Sequence, residues 1–165
     1  MDERIIKIQH VLKKELDDNR YQHTLGVMYT AASMAMRYDV DVLKALYAGL
    51  LHDCAKCIPN DKKLHLCGKY GFTVSDIERE NPSLLHAKLG ACLAHEKYGV
   101  TDKEIIHAIE SHTTGCPAMT MLEKNHIHCG LYRAGQKRTA EYGGRKTACF
   151  FRILMNVCTG FLKDH

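Results

Sequence analysis

Between Glu3 and His112 the apolar residues recur every three or four positions and never alternate for more than three or four residues. Such a chain can bury them only as amphipathic helices packed on one another. Ile5, Ile8, Val11, Leu12 and Leu16 form one stripe and place a first helix over about residues 3–17. His23, Val27, Thr30, Ala31 and Met34 place a second over about 20–38. Val42, Leu46, Gly49 and Asp53 share one face of a third, about 41–54. Asn60 opens a short helix through Leu64, a turn falls at Gly71, and Asn81-Pro82 disfavours helix at that point. Ser83 is placed to cap a helix that ends near Gly99, a C-terminal glycine. Thr101-x-x-Glu104 has the form of a capping box opening a last helix through His112. The fold class read from this pattern is all-α, a helical bundle.

A length of 165 residues is a prior of one domain with a real core. No apolar run approaches the ~18 residues of a membrane span, and Met1-Asp2-Glu3-Arg4 lacks the form of a signal peptide. The expected location is cytoplasmic, so the eight cysteines read as thiols or ligands rather than disulfides. The charge is uneven: residues 125–165 hold seven basic and two acidic residues, against sixteen and seventeen before them. The expected domains are therefore 1–124, the bundle, and 125–165, an atypical segment. With the basic excess confined there and a net charge of only +4, no nucleic-acid partner is expected.

His52-Asp53 ends the apolar run Ala48-Gly49-Leu50-Leu51, and Asp53 continues the buried face of its helix. One reading is a surface helix end, where a polar pair stops the run. The other is a metal site, because a divalent cation compensates a buried carboxylate. His23, His86 and His112 also lie on apolar faces of three further helices. Each alone suits a hydrogen-bonded core histidine. Together with Asp53 they suit zinc, iron or manganese, held where helices converge in a bundle. Cys54-x-x-Cys57 has no second pair and reads as incidental, as do His126, His128 and Cys129. Met28, Met34 and Met36 read as core filling. Lys56, one turn past Asp53, reads as an exposed lysine within reach of an anion.

Four stretches carry a more specific likeness: Arg20-Tyr21-Gln22-His23-Thr24-Leu25-Gly26-Val27, Ala48 to Lys56, Glu80-Asn81-Pro82-Ser83-Leu84-Leu85-His86-Ala87, and Ser111-His112-Thr113-Thr114-Gly115-Cys116-Pro117. In order and spacing they resemble the HD-domain metal phosphohydrolases, in particular the YqeK-type symmetrical diadenosine tetraphosphatases. The resemblance covers roughly residues 5–124. It implies that His23, His52 and Asp53 bind a metal, iron in this branch with manganese and zinc as alternatives, and that His52 and Asp53 are catalytic. It further implies that Arg20, Asp53, His86, His112 and Thr113 contact nucleotide phosphates, with His86 and His112 alternatively completing a second metal position. The implied substrate is a dinucleoside polyphosphate split to two ADP; no membrane partner is implied, and a homodimer is compatible with it. Another nucleotide as substrate, or nucleotide binding without turnover, are the alternatives.

The resemblance stops at Lys124. Its relatives continue with a segment resembling I-A-D-Y-I-E-P-G-R, whose Asp closes the metal site. This chain instead reads Asn125-His126-Ile127-His128-Cys129-Gly130-Leu131-Tyr132-Arg133 and has no Asp until Asp164. Codons for residues 125–137 can be chosen so that reading one base later gives T-I-Y-I-A-D-Y-I-E-P-G-R. The expectation is that 125–165 is a frameshifted reading, poorly ordered except over about Cys149 to Leu162, and that activity is impaired by the lost carboxylate.

Overall fold

The computed structural model describes residues 2–127 and 129, all within one compact unit, Met1–Gly130. Expectations for 128 and 130–165 lie outside the described residues. Every regular element described is helical: α1 Glu3–Glu15, α2 Asp18–Arg37, α3 Val42–Leu51, α4 Asn60–Lys69, α5 Asp76–Glu80, a 3-10 turn Pro82–Leu85, α6 His86–Glu96 and α7 Lys103–Ser111. Further helical turns occupy residues 121–127.

The main core gathers Ile5, Ile8 and Leu12 of α1, Val27, Met28 and Ala31 of α2, and Leu50 and Leu51 of α3, closed by Ile105 and Ile109 of α7. A smaller core beneath α4 and α6 holds Ala55, Cys67, Leu85 and Leu89. Alpha-2 lies along α3, and α6 along α7, while α3 also meets α7. The closest approach is at Gly49: a Cβ there would stand 2.6 Å from the Met28 Cα and 3.0 Å from its amide nitrogen. The missing side chain is what lets α2 and α3 touch backbone to backbone. Gly99, at φ +66°, takes the left-handed turn that ends α6.

Several boundaries differ from the pattern-based reading, each for a local reason. Alpha-3 stops at Leu51 rather than at residue 54, and the chain continues in tight turns, with the Cys54 amide donating to the Leu51 carbonyl and the Lys56 amide to that of Asp53. Alpha-4 extends past Leu64 to Lys69 because Leu64 and Cys67 face the smaller core. Ser83 does not cap α6: it lies inside the 3-10 turn, and α6 begins without a side-chain cap. The box expected at Thr101 is displaced by one residue, since the Asp102 carboxylate accepts the Glu104 amide and also pairs with Lys44. An ionised acceptor held by Lys44 outcompetes the neutral hydroxyl. The short helix α5, absent from the reading, has the capping box Ser75–Glu78. Met36 is exposed rather than core-filling.

The expectation that order fails from residue 125 is corrected for 125–127 and 129. Asn125 and Cys129 are buried, and the Asn125 side-chain amide donates to the Ala31 carbonyl of α2 at 3.0 Å. That bond and the Cys129 contact with Met34 carry the helix across the change in composition. Among the described residues no helix is long and apolar enough to cross a membrane.

Candidate metal centre

The carboxylate of Asp53, 4% exposed, is the hub. Its Oδ2 pairs with Arg20 at 2.7 Å and lies 3.4 Å from His52 Nε2 and 3.9 Å from His23 Nε2. Its Oδ1 lies 3.3 Å from His86 Nε2 and 3.8 Å from His112 Nε2. Four imidazoles and one guanidinium from four parts of the fold therefore converge on one acid. Arg20 and His23 come from the first turns of α2, His52-Asp53 from the turn closing α3, His86 from the start of α6, and His112 from the end of α7.

The backbone sets the orientation of three rings. His52 Nδ1–H donates to the Gly49 carbonyl at 2.8 Å, His86 Nδ1–H to Ser83 at 2.6 Å, and His112 Nδ1–H to Ile109 at 2.6 Å. A carbonyl only accepts, so each Nδ1 carries a proton and each Nε2 is the atom turned toward Asp53. The Nε2 atoms of His86 and His112 stand 3.1 Å apart, close enough for one cation to be shared between them once both are unprotonated. Ser83 thus serves through its carbonyl, by orienting His86, and not through its hydroxyl.

Burial by itself raises the Asp53 pKa, but the facing imidazoles of His52, His112 and His86 overcome it and hold the carboxyl far below the usual range. Burial pushes the His112 pKa down against the pull of Asp53. A metal ion bound there would need that carboxylate ionised and would take the place of the imidazole protons facing it. Two sets of donor atoms lie within 4.8 Å of one another: His23, His52 and Asp53, and Asp53, His86 and His112. They share Asp53, so the cluster can hold a cation on either side of one carboxylate. The donor set of nitrogen and oxygen fits zinc, iron and manganese alike.

Of the residues singled out from the sequence, Arg20, His23, His52, Asp53, His86 and His112 come together here. Thr113 is exposed and lines a cavity of about 430 Å³ bordered by Ser75, Glu78, Lys88 and Glu110. Lys56, read as exposed, is half-buried with Nζ 3.4 Å from His86 Nε2, and burial lowers its pKa. Cys54 and Cys57 do not pair: Cys54 is buried against the Gly90 carbonyl, and Cys57 is exposed beside Asp17.

His126, read from the sequence as incidental, stands against the site. It is 2% exposed, and its ring packs 5.4 Å from that of His52 and 5.8 Å from that of His112, centre to centre. Neither of its ring nitrogens has a hydrogen-bond partner. Burial, with His52 and His112 adding to it, keeps the ring neutral. A signal that could have raised it above chance is its four-residue spacing from the buried Leu122.

Comparison with known proteins matches this arrangement to a family. The model of the HD domain matches residues 20–145, spanning every one of the converging side chains, and the chain belongs to that family. It is 40% identical over 113 residues to a symmetrical bis(5'-nucleosyl)-tetraphosphatase of Bacillus subtilis, which covers 68% of this chain and 60% of the relative. It is 38% identical over 118 residues to the protein of the same name from Halalkalibacterium halodurans, covering 72% and 63%. The chain thus spans about three-fifths of the length of these curated relatives. Among solved structures it resembles a predicted HD superfamily hydrolase involved in NAD metabolism from Clostridium acetobutylicum, with a TM-score of 0.75 and 34% identity over 93% of this chain and 87% of that one.

Proposed function

We propose that this chain is a metal-dependent phosphohydrolase that splits diadenosine tetraphosphate symmetrically into two ADP. The observation that carries the chemistry is the Asp53 hub, an ionised buried carboxylate faced by the Nε2 atoms of His52, His86 and His112. The substrate is carried by likeness to the two named tetraphosphatases.

In this reading His23, His52 and Asp53 hold the ion, iron first and manganese or zinc otherwise, and His86 with His112 completes a second position that shares Asp53. When bound, such an ion polarises a phosphoryl oxygen and brings the pKa of a bound water toward neutrality. The remaining work falls to the side chains. Arg20 and Lys56 present fixed positive charge to the phosphate oxygens, at the two edges of the hub marked by Asp53 Oδ2 and His86. Thr113, next in sequence to His112, offers a hydroxyl from the neighbouring cavity that it lines with Lys88. Burial of His52, Asp53 and His86 keeps bulk water from competing for the reacting phosphorus.

The experiment is product analysis of diadenosine tetraphosphate incubated with the purified chain and added iron, manganese or zinc. ADP as sole nucleotide product, lost in Asp53→Asn, supports the reading. AMP with ATP would refute symmetrical cleavage. Tight ADP binding without turnover would instead select a nucleotide-binding module.

A further inference from the structure

A second donor cluster lies outside the Asp53 hub. His107 Nδ1, Cys116 Sγ and a Glu123 carboxylate oxygen lie within 4.8 Å of one another. They come from three places: α7, the turn after His112, and the helical turns at 121–127. We propose that His107, Cys116 and Glu123 form a zinc site, structural in role, that staples the turn following His112 to the helix carrying His126. This assignment does not depend on the hydrolase reading.

The two oxygens of Glu123 have separate employment. Oε2 accepts the Thr120 amide, and the Glu123 amide in turn donates to the Thr120 hydroxyl, so that oxygen belongs to the helix start. Oε1 faces the other two donors: it receives His107 Nδ1, and Cys116 Sγ lies 3.9 Å away. One carboxylate oxygen is therefore shared between an imidazole and a thiol at a point that is buried on the Glu123 side and open on the His107 side. Glu123 is only 3% exposed, yet stays ionised: burial raises its pKa, and His107 with the Thr120 groups outweighs that.

The donor chemistry selects the ion. One thiolate, one imidazole and one carboxylate suit zinc, and they are poor for magnesium or calcium, which favour oxygen alone. Three protein donors leave a fourth position for water. Binding releases two protons to solvent: the Cys116 thiol loses its proton, and Nδ1 of His107 gives up the one it shares with Glu123 Oε1, the ring keeping a single proton on Nε2. No redox change is involved.

The test uses cobalt as a spectroscopic stand-in. The Asp53 hub contains nitrogen and oxygen donors only, so it gives no sulfur-to-cobalt charge-transfer band. The full chain titrated with cobalt(II) is expected to develop that band in the near ultraviolet, to lose it in Cys116→Ser, and to lose it again on addition of zinc. Zinc content by mass spectrometry should fall by one equivalent in both Cys116→Ser and His107→Ala. His107 is exposed, so its replacement should leave the fold intact, as checked by circular dichroism. A band that persists in Cys116→Ser, no band in the wild-type chain, or a zinc content unchanged in both variants overturns the site.

Discussion

Gly49→Ala is a one-carbon change that should disable the metal centre without touching a ligand. The added Cβ would meet the Met28 Cα at 2.6 Å, whereas ordinary contact begins near 3.4 Å, so α2 and α3 must part by about 0.8 Å. The obstacle is backbone, which cannot rotate aside as a side chain can. Overpacking of this kind costs about 1–3 kcal/mol, reduced by up to ~1 kcal/mol for the better helix propensity of alanine. A net loss of about 1 kcal/mol is expected, or roughly 2–4 °C in melting temperature for a chain of this size. The effect on the site is larger. Alpha-2 carries His23, and the turn closing α3 carries His52 and Asp53, so the shift lies between ligands of one set. Ligand distances tolerate about 0.2 Å, a quarter of the displacement, and affinity should fall roughly tenfold or more. Metal titration by calorimetry and thermal unfolding with and without chelator give both numbers. Gly90→Ala is the control: its Cβ would stand at ordinary contact distance, 3.4 Å from the Ile109 methyl, 3.5 Å from the His52 carbonyl and 3.7 Å from Cys54 Sγ, and should be accepted. If Gly49→Ala keeps wild-type metal affinity, the helix contact does not set the ligand geometry and the reasoning fails.

Three further outcomes are expected. His126→Leu, replacing a buried imidazole whose two nitrogens lack partners, should stabilise the chelated protein by about 1–3 kcal/mol, read as a higher urea midpoint at constant slope; an unchanged midpoint counts against the burial. In the chelated protein, pairing lowers the Glu123 pKa from its usual 4.5 and raises that of His107 from 6.5. Glu123 therefore contributes stability above pH 4.5 that is lost as pH falls through its lower folded value. His107 contributes below pH 6.5 and loses it as pH rises through its higher one. Glu123→Gln should flatten both limbs of the urea midpoint against pH, and identical limbs would contradict the pairing. Finally, shifting the reading frame after codon 124 should raise metal content and ADP release relative to the present chain; equal values would show that residues 125–165 are not a misread segment.

The bundle was legible because its cues are local. Apolar stripes placed α1, α2 and α3 within a few residues, and His23, Asp53, His86 and His112 stood out as polar residues on apolar faces. Convergence on Asp53 followed from their number, not from any spacing. What failed depended on tertiary partners. Lys44 decides the cap at Asp102, and nothing near residue 101 announces a lysine from α3. Lys56 is drawn half inside by the pocket it shares with His86. Asn125 and His126 looked like the start of an unrelated stretch because their charge and polarity break the pattern, while the Ala31 carbonyl that receives Asn125 lies ninety-four residues away. The Ser75–Glu78 box opens a helix of only five residues, too short to show an apolar period.

His52 and His112 end α3 and α7, and the carbonyls of Gly49 and Ile109 that receive their rings are among those a helix leaves unpaired at its end. Each ring is thereby tethered at its far nitrogen to its own turn. An ion held in the cluster would not be shed by one of these imidazoles swinging away alone. Its release is expected to need opening of the helix ends themselves, so that backbone breathing would set its residence time. Isotopic exchange of the bound metal should then keep pace with amide hydrogen exchange at the closing turns of α3 and α7.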